Sequence, residues 1–87
     1  MRRRVIVHGA VQGVFFRDTT RRLAHSHGVA GWARNNADGT VEAVFEGAPE
    51  AVERLVAFVH RGPGGARVEQ VEVLEEDEEG LSGFAVR

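Results

Sequence analysis

Cysteine, lysine and tyrosine are all missing from these 87 residues. Without Cys there is no disulfide framework, thiol nucleophile or cysteine metal site. Without Lys there is no Schiff-base amine and no Walker-type phosphate lysine; all eleven cationic side chains are Arg. Anion recognition therefore falls to guanidinium groups and main-chain N–H groups. Hydroxyl side chains are few, namely Thr19, Thr20, Ser26, Thr40 and Ser82, which leaves little room for covalent catalysis. No apolar run is long enough to span a bilayer. Met1-Arg2-Arg3-Arg4 leads into a strand-like segment and not into the apolar stretch of a signal peptide, so the expected location is the cytoplasm, with no membrane partner. A formal charge of −2 supplies no overall attraction to nucleic acid.

What is present suits one globular domain over residues 1–87. With 43% hydrophobic and 28% charged residues, there is enough for a single core of one sheet and one or two helices. Arg4 to His8 reads as a strand, with Val5 and Val7 on one face. From Phe15 to His27 the period turns helical, and Phe16, Thr20, Leu23, Ala24 and His27 form one stripe that Gly28 can stop. Val29 to Asn35 and Thr40 to Glu46 read as strands joined by the turn residues Asn36-Ala37-Asp38-Gly39. In the second of these strands Val41, Ala43 and Phe45 point one way and Glu42, Val44 and Glu46 the other. Pro49 suits the first position of a second helix with the stripe Val52, Leu55, Val56 and Val59, ended by Gly62-Pro63. Ala66 to Leu74 is a further strand whose change of parity between Val68 and Val71 predicts a bulge or twist. Phe84 to Val86 is a short last strand.

The order β-α-β-β-α-β with a short terminal strand is an α+β, ferredoxin-like sandwich. It predicts an antiparallel sheet with two helices on one face and solvent on the other. On that view Glu75 to Gly80 is a solvated acidic loop, and Arg2-Arg3-Arg4 a charged flank at a strand start. That fold hosts many functions and selects none.

Chemistry concentrates in two stretches. In Gly9-Ala10-Val11-Gln12-Gly13-Val14-Phe15-Phe16-Arg17 a strand ends, a glycine-flanked loop follows and a helix begins. The first N–H groups of a helix have no internal partner and can receive an anion, and Gly13 permits a concave nest of donors. Arg17 in the first turn opposes the helix dipole, an arrangement that a bound phosphate would offset. The same spacing also suits a plain glycine-rich connection with a surface arginine, and the residues alone leave both readings open. The second stretch is Gly31-Trp32-Ala33-Arg34-Asn35, followed by Gly39, Val41 and Gly47. The Asn35 carboxamide offers a donor and an acceptor with which to hold a water, or it shapes the hairpin.

Together these stretches closely resemble the two signatures of the acylphosphatases. The first is glycine, any residue, Val-Gln-Gly-Val, a pair containing an aromatic, and arginine; the second matches at every defining position. The resemblance covers essentially the whole chain and departs at no functional position. It implies hydrolysis of acyl phosphates to a carboxylate and inorganic phosphate, without a metal or other cofactor. It further implies that Arg17 binds the phosphate, helped by the amides of Gln12, Gly13, Val14, Phe15 and Phe16, while Asn35 orients the attacking water. The implied partners are a small acyl phosphate and, as product or inhibitor, inorganic phosphate or sulfate, with the protein a monomer. A regulatory or RNA-binding module on the same fold is the competing class, but strand Thr40 to Glu46 shows no aromatic on its outward face. A third reading, a domain of a larger carbamoyl-phosphate-using enzyme, is disfavoured by the chain ending after its last strand. His8, His25, His27 and His60 lack metal-ligand spacing and are expected to be structural or solvated. Trp32 is expected to be a packing residue.

Overall fold

Strand β1, Arg2–Ala10, is longer at both ends than the run of β-branched residues predicts. Val5 and Val7 on its inner face are wholly buried. A computed structural model describes all residues from Met1 to Arg87. Helix α1, Phe16–Ser26, begins one residue later than its pattern because Phe15 is left-handed (φ 60°, ψ 24°). It buries Phe16, Thr20 and Ala24, and the Thr20 hydroxyl is satisfied by donating to the Phe16 carbonyl at 2.7 Å. Strands β2, Ala30–Asn35, and β3, Val41–Glu46, form the expected antiparallel hairpin, pairing Asn35 with Val41 and Ala30 with Glu46. Its turn is closed by Asp38, which accepts from the N–H (3.0 Å) and hydroxyl (2.7 Å) of Thr40. Helix α2, Pro49–Arg61, has Pro in its first turn and buries Val52, Leu55 and Val59. Strand β4, Arg67–Glu75, and the short β5, Phe84–Val86, complete the chain.

The sheet order is β4-β1-β3-β2-β5. Every neighbouring pair is antiparallel except β2 with β5, which are parallel. The sheet is therefore mixed, and the terminal strand adds an edge beside β2. The predicted irregularity in β4 is a bulge. His8 faces Gln70 and the next residue, Gly9, faces Val68, so Glu69 is the extra residue that lets Val68 and Val71, of opposite parity in the sequence, share the core-facing side. Both helices cover one face, where Val5, Val7, Ala43, Phe45, Leu55 and Val59 share a core and Phe84 stacks on Phe45 at 6.0 Å.

The other face is open to solvent only along its edges, and its centre is covered, contrary to expectation. Val44 is wholly buried there, Trp32 is 7% exposed, and Arg2, Glu42 and Glu46 are buried with them. In the acidic segment Glu75, Asp77, Glu78 and Glu79 are exposed as expected, but Glu76 turns back onto this face. Glu76 accepts from Arg2 Nε at 2.8 Å and Arg4 Nε at 2.5 Å, and Glu78 pairs with the N-terminal amine. Glu42 pairs with Arg4 and, at 3.1 Å, with Arg34. The reason is register. Placing β3 beside β1 sets Arg2 opposite Glu46, so charges far apart in sequence neutralise one another. Trp32 is clamped in this layer by the guanidinium groups of Arg87, Arg34 and Arg4, at 4.5, 5.0 and 5.4 Å from its ring centre. Burial alone would raise the Glu42 pKa, but hydrogen bonds from Asn36, Arg4 and Arg34 hold it below the ordinary value.

Candidate active site

The loop between β1 and α1 is anchored at both ends in the core. Val11 (1% exposed) and Phe16 (2%) are buried, and Phe16 rests against Phe58 at 6.1 Å. Between these anchors the backbone is left-handed at Gly13 (φ 76°) and at Phe15. Such turns direct successive N–H groups outward instead of into a ladder. From Gln12 to Phe15 no main-chain N–H donates to any group of the chain. The first helical bond runs from Thr19 N to the Phe15 carbonyl at 3.0 Å, so the N–H groups of Phe16, Arg17 and Asp18 lack intrahelical acceptors as well. No side chain caps them. A run of main-chain donors thus faces outward at the positive end of a helix dipole, an arrangement suited to an oxyanion.

Side chains complete the setting. Arg17 is half-buried, pairs with no Asp or Glu side chain, and donates from Nη1 to the main-chain oxygen of Arg87, the last residue, at 3.0 Å. Asn35 ends β2 and shares the helix-side face with Ala33 by strand alternation; it is exposed and its carboxamide has no partner within the chain. Both residues line one cleft of about 360 Å³, together with Val11, Gly13, Phe15, Phe16, Asp18, Arg21 and Val86. Asp18 is the single carboxylate there, and its oxygens are taken by Arg21 (2.7 Å) and Arg22 (3.0 Å). The Arg21 hydrogen bond holds the Asp18 pKa below its ordinary value. One occupied carboxylate makes no metal-ligand set.

Of the residues expected at the site, Gly13, Phe15, Phe16, Arg17 and Asn35 meet at the cleft, whereas Gln12 and Val14 do not line it. Val14 packs against the core. Gln12 turns its side-chain amide away and donates to the carbonyls of Asn36 (2.8 Å) and Thr40 (2.9 Å), while its main-chain N–H stays without a partner. Sequence reasoning missed Arg21 and Val86. Arg21 stands four residues after Arg17 on one helix face and was accessible to that rule. Val86 has no local signal, because it arrives through the parallel pairing of β5 with β2.

The profile of the family described as Acylphosphatase matches residues 3–86. The chain belongs to the acylphosphatase family. An acylphosphatase of Rubrobacter xylanophilus is 60% identical over 85 residues, covering 97% of this chain and 77% of the relative. One of Haloarcula marismortui is 55% identical over 86 residues, covering 99% and 94%. The crystal structure of an acylphosphatase from Bacillus subtilis superposes with a TM-score of 0.93 at 34% identity, covering 99% of this chain and 97% of that one. As an acylphosphatase the chain hydrolyses acyl phosphates. The expected fold and family both hold, and the cleft that unites the two signature stretches lies where the acylphosphatase sheet meets the start of α1.

Proposed function

We propose that this acylphosphatase cleaves the carboxyl–phosphate bond without a metal, with Arg17 and the loop amides holding the phosphate and Asn35 the attacking water. The observation that carries this reading is the convergence of Arg17 and Asn35 on one cleft beside a run of unpartnered N–H groups. The fork of Arg17 matches two phosphate oxygens, and a phosphate there competes with the Arg87 main-chain oxygen for the guanidinium. The amides stabilise charge on the phosphoryl oxygens. The Asn35 carbonyl oxygen accepts a hydrogen bond from water and aims its lone pair at phosphorus. As the water–phosphorus bond forms, the bond from phosphorus to the acyl oxygen breaks, and its electron pair leaves on the carboxylate. The water proton passes to a phosphate oxygen. A carboxylate with a pKa of about 4 needs no acid to leave, so positioning and charge stabilisation suffice.

Acetyl phosphate and benzoyl phosphate in excess EDTA test the reading. Turnover of both is expected, and in ¹⁸O-labelled water the label should enter inorganic phosphate. Turnover that vanishes in EDTA and returns with a divalent cation would sink the metal-free mechanism; label in the carboxylate would sink attack at phosphorus.

We further propose that residues 1–87 act as one domain, a cytoplasmic monomer that engages neither nucleic acid nor membranes. No helix is long and apolar enough to cross a membrane. Edge strand β4 exposes Glu69, Glu72 and Glu75, whose like charges oppose edge pairing between copies. The outer face of the sheet offers no aromatic for base stacking, since Trp32 is buried under arginines. Light scattering and salt-dependent RNA titration check these points; a dimer, or tight RNA binding with a steep salt slope, would refute them.

A further inference from the structure

Four large apolar side chains remain exposed in this chain: Phe15 at 81%, Leu74 at 45%, Val73 at 43% and Val86 at 42%. Val73 and Leu74 belong to edge strand β4. Phe15 and Val86 both line the active cleft. They come from distant parts of the sequence and meet there because β5 pairs in parallel with β2.

Phe15 is costly on two counts. Its left-handed backbone is disfavoured for any residue but glycine, and its ring lies almost wholly in water. The turn itself serves the loop by directing amides outward, but glycine would make the same turn without strain. The turn therefore does not account for the ring. Nor does the core, since Val11 and Phe16 already anchor the loop on either side. What the ring does face is the cleft.

That cleft divides into two chemistries. Arg17, Asn35 and the loop amides form a polar part, while Phe15, Val86 and Val11 supply an apolar one. An acyl phosphate is divided in the same way, into a charged phosphate and an acyl group. Past the groups assigned to phosphate and water, the polar side chains left are Arg21 and Asp18, which are bound to each other. We infer that Phe15, aided by Val86, is the element that receives the acyl group, and that it selects aromatic or bulky apolar acyl phosphates over acetyl phosphate. This rests on the assignment of Arg17 and Asn35 proposed above. A benzoyl ring can pack on the Phe15 ring; an acetyl methyl group covers little of it.

The test is the ratio of kcat/KM for benzoyl phosphate to that for acetyl phosphate, measured in wild type, Phe15→Ala, Phe15→Gly, Phe15→Leu and Val86→Ala. The ratio cancels any change in phosphate binding that both substrates share. It is expected to fall about tenfold in Phe15→Ala and Phe15→Gly, and less in Phe15→Leu and Val86→Ala. Phe15→Gly relaxes the left-handed backbone, so its loss cannot be ascribed to strain. A ratio within about twofold of wild type in both Phe15→Ala and Phe15→Gly overturns the inference, even if both substrates are hydrolysed. If wild type hydrolyses neither substrate, the assignment of the site fails, and this inference with it.

Discussion

The side-chain amide of Gln12 donates to the main-chain oxygen of Asn36 at 2.8 Å, and so ties the loop before α1 to the hairpin that carries Asn35. A second bond from the same nitrogen reaches the Thr40 carbonyl at 2.9 Å. The two signature stretches are thus joined by one side chain that itself stays outside the cleft. Gln12→Ala should destabilise the fold by about 0.5–1.5 kcal/mol per bond lost and raise KM for acetyl phosphate as the loop loosens. Gln12→Glu should be worse, because a carboxylate has no N–H to give and would face two carbonyl oxygens. Urea midpoints and steady-state kinetics decide; a Gln12→Glu variant as stable as wild type would show that these bonds do not fix the loop.

Arg17 and Asn35 should separate in kinetics. Arg17→Ala is expected to lose about 1.5–3 kcal/mol of transition-state stabilisation, or roughly 10- to 160-fold in kcat/KM, and to weaken inhibition by inorganic phosphate. Arg17→Lys should recover little, because an ammonium cannot grip two oxygens at once. Asn35→Ala should lower kcat while the phosphate inhibition constant stays near that of wild type. A large loss of phosphate affinity in Asn35→Ala would contradict that division of labour.

Glu46 sets a pH dependence. Its carboxylate accepts from three successive main-chain N–H groups, Glu79 (3.0 Å), Gly80 (2.7 Å) and Leu81 (2.9 Å), and from Arg2 Nη1 at 3.2 Å. The Glu79 N–H leads in holding its pKa down, from the ordinary 4.5 to about 2, with Leu81, Arg2 and Gly80 adding to it against the effect of burial. Since the folded value is the lower one, this stabilisation is fully present above pH 4.5 and is lost as the pH falls through about 2. Glu76, Glu42 and Asp18 are shifted in the same direction. Glu46→Gln should therefore be less stable than wild type at pH 7 and show a shallower decline of the urea midpoint in acid. Parallel declines in the two proteins would refute the role of Glu46.

Gly31 is expected to tolerate no side chain. Its backbone lies at φ 141°, and an added Cβ would sit 1.8 Å from the Val44 carbonyl oxygen on β3. Gly31→Ala must part β2 from β3 or distort both, at a cost of about 3 kcal/mol or more. That would lower Tm by roughly 12–24 °C in a domain of this size. A loss below about 1 kcal/mol would mean that the strand pair yields more easily than its contacts imply.

Much of this protein was legible in the order of its residues. The period of two in Val41, Ala43 and Phe45, the helical stripes through Phe16 and Leu55, and the parity change at Glu69 are local patterns, and local patterns follow from backbone geometry alone. The two signature stretches likewise marked Arg17 and Asn35. Sequence could not show that the centre of the outer face is covered by paired charges and Trp32. Arg2 read as a charged flank and Glu76 as part of a solvated loop, because the two lie 74 positions apart in the sequence and meet only through the fold.

The sequence by itself determined the elements, the family and the identity of the candidate phosphate and water ligands, since each depends on residue type and short-range spacing. Tertiary structure alone decided that Arg17 and Asn35 share one cleft, that Gln12 ties their segments together, and that Phe15 and Val86 line the same space. These relations depend on the parallel docking of β5 and on the insertion of β3 between β1 and β2. Such long-range pairings are set by burial and register across the whole sheet, and no local window of sequence contains them.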